Sequence, residues 1–343
     1  MFNVHPAHDR RARNSSLTHP STDTSPAPGI VYSTAMGQFD IRSYYSRLLS
    51  EDSTKSMPIA AMESLSALCD ASKATTIHEL LSSIEIGSKA LIASVPNSIS
   101  LTAGCAMFTK FISAHTHDDP RDFGAFKKKL QENGHLFAQS AREARFKIAA
   151  LGVGMLRDGE VVMVHGYSRC AVGILKLAAQ RNVRFKVIVT ETRPSCQGTK
   201  LAVELRALGV PVAVIDDNAV AYAMKKCRSV LIGAESIFAD ASIINVMGTH
   251  QIALAAKKYH RKVYVATETH KFVDNFPLDQ FDIPIEQDVI NFDPPAGFDG
   301  PMPQTELGFV DYTEPQFIDA FITEVGLLTP DQVAERIVAM RFQ

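Results

Sequence analysis

A strict alternation that begins at Asp158-Gly159 limits the fold more than any other feature of the chain. EVVMVHG, FKVIVTE, VPVAVID, SVLIGAE and KVYVATE are short β-rich runs. Between them RCAVGILKLAAQRN, QGTKLAVELRALG, NAVAYAMKKC and GTHQIALAAKKYH carry the apolar spacing of helices. Parallel strands cannot be joined by tight turns, because each connection must return along the sheet and is long enough to hold a helix. Five such runs separated by helices predict an α/β fold with a parallel sheet and helices on both faces. A Pro/Asp-rich stretch (about 276–307), an extended piece, FVDYTEP, and a last helix, TPDQVAERIVAM, complete the chain.

Upstream of Asp158 the apolar period is helical throughout. FDIRSYYSRLLSED, PIAAMESLSALCDAS, TTIHELLSSIEIGSKALIASV, SISLTAGCAMFTKFISAH and a run from Asp122 to about Leu156 predict about five helices. Pro58 suits a first helical turn, Thr75 or Thr76 suits an N-cap, and Gly134 interrupts the last run. The first 35 residues include NSSLTHPSTDTSPAPG, which has too little apolar surface to offset its ordering entropy and predicts a flexible tail. At ~150 residues per domain, 343 residues make about two. The expected division is a tail over 1–35, an all-helical domain over 36–156 and an α/β domain over 157–343.

Charge and cysteine usage narrow the function. The 35 basic and 37 acidic residues leave a net charge of −2, which argues against nucleic acid as a direct partner. No apolar run approaches the ~20 residues of a membrane span. MFNVHPAHDRRARNSS has no apolar core, so no secretory signal is expected. Cys69, Cys105, Cys170, Cys196 and Cys227 lack CxxC spacing. They predict a reduced, cytoplasmic protein with no metal site and no disulfide framework.

In an open α/β sheet, ligands sit beyond the carboxyl ends of the strands. The segments there are His165-Gly166-Tyr167-Ser168-Arg169, Glu191-Thr192-Arg193, Gly233-Ala234-Glu235, Asn245-Val246-Met247-Gly248-Thr249 and Glu268-Thr269-His270-Lys271. Neither a dinucleotide fingerprint nor a GxxxxGK[ST] loop is present. The helix start at Gly248-Thr249 offers free N–H groups to an anion, and the start near Ser168-Arg169 offers the same with a guanidinium. Arg193 adds charge, and Glu191, Glu235 and Glu268 can accept from sugar hydroxyls. The edge suits a small phosphorylated, polyhydroxylated ligand, with no cofactor required. Plainer readings stand beside this one: His165 as a hydrogen-bonded strand end, Arg193 paired with a neighbouring glutamate, Gly248 as a turn, Cys170 as a small core residue, and Tyr44-Tyr45 as helix packing.

ETRPSCQGTKLAVEL, GAES, INVMGTHQIALAAK and VDYTEP together resemble the initiation factor 2B alpha/beta/delta family, which includes methylthioribose-1-phosphate and ribose-1,5-bisphosphate isomerases. VHGYSR, ETHKFVDNFPLDQ and LGFVDYTEP are most similar to its alpha branch. The resemblance spans about Phe39 to the C-terminus and implies a helical domain followed by a Rossmann-like one. It also implies that the isomerases use a cysteine after a Thr-His strand end and an aspartate in Gly-Ala-Asp; Gly166 and Glu235 stand at those positions here. The lysine expected after Asn245 is Val246, while Arg193, Gln197, Gly198, Asn245, Gly248 and Thr249 persist. The implied function is regulatory and non-catalytic: a subunit of the guanine nucleotide exchange factor for initiation factor 2. The implied partners are a second copy of the chain, the beta and delta subunits, and the phosphorylated alpha subunit of initiation factor 2. The alternative is a sugar-phosphate isomerase of the same fold. The expected ligand contacts are His165, Ser168, Arg169, Glu191, Arg193, Gln197, Glu235, Asn245, Gly248 and Thr249, holding a sugar phosphate or nucleoside monophosphate. The apolar FVDYTEP segment and final helix are expected to need cover from a second copy.

Overall fold

The computed structural model describes residues 39–52, 55–95, 98–115, 123–283, 285, 287, 289–290, 292 and 309–339. The tail expected over 1–35 lies outside them. Five helices come first: α1 (Ile41–Glu51), α2 (Met57–Ala71), α3 (Ile77–Ile92), α4 (Ile99–His115) and α5 (Phe123–Gly152). Their starts follow from side-chain chemistry. Asp40 accepts from the Arg42 and Ser43 N–H groups at 3.0 and 3.3 Å. Thr76, not Thr75, caps α3: it accepts from Glu79 N–H, and the Glu79 carboxylate returns to Thr75 N–H at 2.8 Å. α5 runs through Gly134 without a break. Leu65, Leu80, Leu101, Phe108 and Ile112 pack the interior of α2 to α4.

The remaining elements are β1 (Val161–Val164), α6 (Arg169–Gln180), β2 (Lys186–Thr190), α7 (Gln197–Ala207), β3 (Val212–Ile215), α8 (Val220–Met224), β4 (Ser229–Ile232), β5 (Ser236–Ile237), β6 (Ile243–Val246), α9 (Thr249–Lys258), β7 (Lys262–Ala266), β8 (Val310–Thr313), β9 (Ala320–Thr323), β10 (Gly326–Leu328) and α10 (Pro330–Ala339). Seven strands form one sheet in the order β10-β9-β7-β4-β1-β2-β3. All its pairings are parallel except β9 with β10. Helices α6 and α7 bury Ala171, Leu175, Leu201 and Leu205 on one face. Helices α8, α9 and α10 bury Met224, Ile252, Val333 and Ile337 on the other.

The sequence pattern missed a second sheet, β5-β6-β8, which is antiparallel. Its strands are short and buried throughout, so they lack the alternation that marks a half-buried strand. The expected helix over NAVAYAMKKC shrinks to the five residues of α8. FVDYTEP needs no second copy to cover it: Val310 and Tyr312 are buried within the chain, as are Val333 and Ile337 of α10. Residues Gly37–Gln343 form one compact unit, in which α5 packs against both α2 and α6.

Candidate functional site

The strand order turns at β1. From there the chain runs outward through β2 and β3, then returns to place β4 on the other side of β1. Such a reversal leaves a crevice at the carboxyl ends of β1 and β4, and a cleft of about 460 Å³ lies there. The loops after β1 and β4 supply His165, Tyr167, Ser168 and Arg169, then Gly233, Ala234 and Glu235. The loops meet so closely that a Cβ on Gly233 would fall 2.5 Å from Ser168. Gln197, Asn245, Val246 and Lys271 add to this wall. Tyr45, Leu49, Ser56, Met57, Pro58, Val95 and Ser100, from the helical region, complete the lining.

Six of the ten expected ligand contacts line the cleft: His165, Ser168, Arg169, Gln197, Glu235 and Asn245; Thr249 stands behind Asn245, whose Nδ2 donates to its hydroxyl at 3.0 Å. Glu191 and Arg193 do not line it. They follow β2, one strand away from the crevice, and pair with each other at 2.9 Å with Arg193 mostly exposed. The backbone N–H groups of Thr192 and Arg193 are held by Asp217.

The expected anion seat at Gly248-Thr249 is filled from within the chain. Asp311 on β8 accepts from Gly248 N–H at 2.8 Å and His250 N–H at 3.0 Å. A carboxylate thus takes the place at the α9 N-terminus where a phosphate was expected. Burial pushes the Asp311 carboxyl up to about 7, against those N–H groups, which favour its charged form. Gly248 is required for a different reason: its φ is +104°, and a Cβ would lie 3.1 Å from the His165 ring.

His165 has both ring nitrogens engaged. Nε2 donates to the Met247 carbonyl at 2.8 Å, so Nδ1 accepts from the Thr190 hydroxyl at 2.6 Å. Burial holds its pKa below the usual histidine value. The ring is a neutral strut between β1, β2 and the start of α9. Ser168 is likewise committed as the N-cap of α6, accepting from Ala171 N–H at 3.3 Å.

The positive charge at the cleft comes from Arg169 and Lys271, both backed by a buried carboxylate. Lys271 lies 3.3 Å and Arg145 3.9 Å from Glu268, which is 1% exposed. Burial alone would raise the Glu268 pKa, but the cationic Lys271, followed by Arg169, outweighs it and holds the carboxylate charged. Lys271 Nζ also donates to the Ala234 carbonyl at 2.8 Å, and the Arg169 guanidinium donates to the Lys55 carbonyl between α1 and α2. Burial keeps the neighbouring His270 neutral, with a pKa of about 4. Lys271 was outside the expected contacts. Its signal was its place directly after a strand end, in the same segment as Glu268.

No thiol lines the cleft among the described residues. Cys170 is buried, and burial followed by the nearby Glu268 charge raises its pKa well above the ordinary value. This is the opposite of what a nucleophile one turn into a helix would need. Gly166 has φ +71°, and a Cβ there would lie 2.8 Å from Val246 Cγ1. The Val246 side chain therefore occupies the space a residue at 166 would use. Among the described residues, no group of three or more His, Cys, Asp or Glu is placed to hold a metal ion. No helix there is long and apolar enough to cross a membrane.

Similarities to known proteins fit this architecture. The chain is similar to translation initiation factor eIF2B subunit alpha of Dictyostelium discoideum, 34% identical over 304 residues, covering 86% of this chain and 95% of that protein. It is also similar to ribose 1,5-bisphosphate isomerase of Pyrococcus furiosus, 33% identical over 79% of this chain and 84% of the isomerase. The crystal structure of the tetrameric eIF2B-beta2-delta2 complex from C. thermophilum shares the fold, with a TM-score of 0.70 at 16% identity over 88% of this chain and 95% of that one. The profile of the Initiation factor 2 subunit family matches residues 50–330, a span that runs from the end of α1 to the start of α10 and holds the lining of the cleft except Tyr45 and Leu49. The chain belongs to the initiation factor 2 subunit family.

Proposed function

We propose that the protein is a regulatory, non-catalytic subunit of the cytoplasmic guanine nucleotide exchange factor for initiation factor 2. It acts as a homodimer that bridges the complex through beta and delta subunits and helps it sense the phosphorylated alpha subunit of initiation factor 2. The likeness to eIF2B alpha subunits over most of both chains supports the assembly role. The observation that carries the non-catalytic reading is the pairing of Gly166 with Val246, which leaves no room for a reactive side chain at the β1 end. Native mass spectrometry of the chain, alone and mixed with beta and delta subunits, tests the assembly. A dimer alone and a larger complex with the partners are expected; failure to join them would sink the proposal.

The cleft retains a binding role for a sugar phosphate or nucleoside monophosphate. Arg169 and Lys271 supply its charge, in place of Arg193 and the α9 N-terminus. Arg193→Ala should leave the binding of such a ligand unchanged, whereas Lys271→Ala should weaken it more than tenfold by calorimetric titration. The isomerase reading keeps one observation in its favour: Glu235 places a carboxylate in the cleft. Turnover of ribose 1,5-bisphosphate or methylthioribose-1-phosphate by the purified protein would establish it; no turnover is expected.

A further inference from the structure

The end of the large sheet opposite the cleft is strongly basic. Helices α6, α8 and α9 each hand the chain to the amino end of the strand that follows. The connections entering β1, β2, β4 and β7, residues 156–161, 181–186, 225–229 and 259–262, hold nine Lys and Arg against two acidic residues. A chain of net charge −2 therefore concentrates a positive field at one end. Strand register sets part of this charge in a row. Lys186 begins β2, Arg228 immediately precedes β4 and Lys262 begins β7. Val161 stands level with Lys186, and Ser229 with Val162 and Lys262. At ~4.8 Å between neighbouring strands the row spans ~14 Å. All three side chains are exposed.

Helix dipoles explain only part of the charge. Lys225 and Lys226 follow a helix C-terminus, where cations are favoured. Arg184, Lys186, Arg228 and Lys262 lie at strand starts, where the backbone offers little net dipole. The chain itself neutralises only some of them. Arg228 pairs with Glu160 at 3.4 Å and Lys262 with Asp319 at 2.6 Å. Arg157, Arg181, Arg184, Lys186 and Lys226 are exposed and form no ion pair among the described residues.

We infer that this face is a docking surface for an acidic segment of another protein, whose carboxylates pair with the cations left unneutralised. Glu160 and Asp319 decide between kinds of polyanion. A nucleic acid is charged at every phosphate and meets both carboxylates, whereas a polypeptide places its acids only where cations stand. Four or five extended residues, at ~3.3 Å each, cover the row. Charge pairing of this kind speeds encounter and weakens with salt.

Fluorescence anisotropy with a labelled peptide of about ten glutamates, long enough to pass the row, tests this at about 0.05 M and about 0.3 M salt. Binding is expected at the lower salt and should fall at the higher. The triple variant Arg184→Gln, Lys186→Gln, Lys226→Gln should weaken it about tenfold. Lys271→Ala, in the cleft, should leave it unchanged. No binding at the lower salt, or equal binding by the triple variant, overturns the inference. Loss in Lys271→Ala overturns it too, because the peptide then sits in the cleft. Tighter binding of a uridine RNA of about ten nucleotides, weakened by the same triple variant, would make this a nucleic-acid surface instead. If the triple variant melts below the wild type, Lys226→Gln alone, outside every strand and helix, is read in its place; it should weaken the peptide about twofold, and equal binding overturns the inference.

Discussion

Asp311 illustrates how a single residue can redirect a site. A helix N-terminus in an α/β protein is open to any anion, and here the chain supplies its own. The cost is a buried carboxyl whose pKa is raised from 3.8 to about 7. Between those values the folded protein holds a proton that the unfolded chain has released. Stability from this group is therefore fully present below about pH 4 and falls as pH rises to about 7. At ~1.4 kcal/mol per pH unit the loss is on the order of 4 kcal/mol. Urea denaturation at pH 5 and pH 8 should show Asp311→Asn losing less stability over that interval than the wild type. An unchanged difference between the two pH values in the variant would mean that Asp311 is charged throughout.

At the scale of elements, close approach decides which glycines are fixed. α7 begins against the end of β2, and a Cβ on Gly198 would sit 1.8 Å from the Thr190 carbonyl oxygen. Backbone cannot yield as a flexible side chain can, so Gly198→Ala should destabilise by about 3 kcal/mol or more. Gly154→Ala, with nothing within 4 Å of the added carbon, is the control and should melt within a degree or two of the wild type. Thermal unfolding of both variants checks the pair. Thr190 is also the residue whose hydroxyl holds His165, so displacement of β2 by the larger side chain would reach the cleft as well as the core.

For the whole molecule, the surface that needs cover is not the one the sequence pattern indicated. The final helix and FVDYTEP are packed within the chain, whereas Phe276, Leu278 and Phe281, between β7 and β8, are 63%, 78% and 85% exposed. Three large apolar side chains exposed within six residues make this segment the candidate for an interaction surface. The homodimer proposed above should depend on them. Light scattering at micromolar concentration is expected to give twice the 37.5 kDa chain mass, and Phe276→Asp with Phe281→Asp should reduce it to one. A wild type that scatters as a monomer would remove the bridging role.

The sequence alone determined the parallel α/β sheet, the five helices before it and the family, because periodicity and ordered motifs are local. Pro58, the threonine cap before α3 and the turn at Asp158-Gly159 act within a few residues of themselves. It also identified most of the cleft's sheet-edge residues, since strand ends are legible from strands. Strand order is not local. Only the folded sheet placed β1 beside β4 and moved Glu191 and Arg193 one strand away from the crevice. Only the tertiary structure brought Asp311 across 61 to 63 positions to the start of α9, and gathered Tyr45, Ser56 and Lys271 around one cleft. These contacts depend on how elements pack in space, and a hydroxyl or carboxylate in the sequence carries no mark of the partner that packing will give it or deny it.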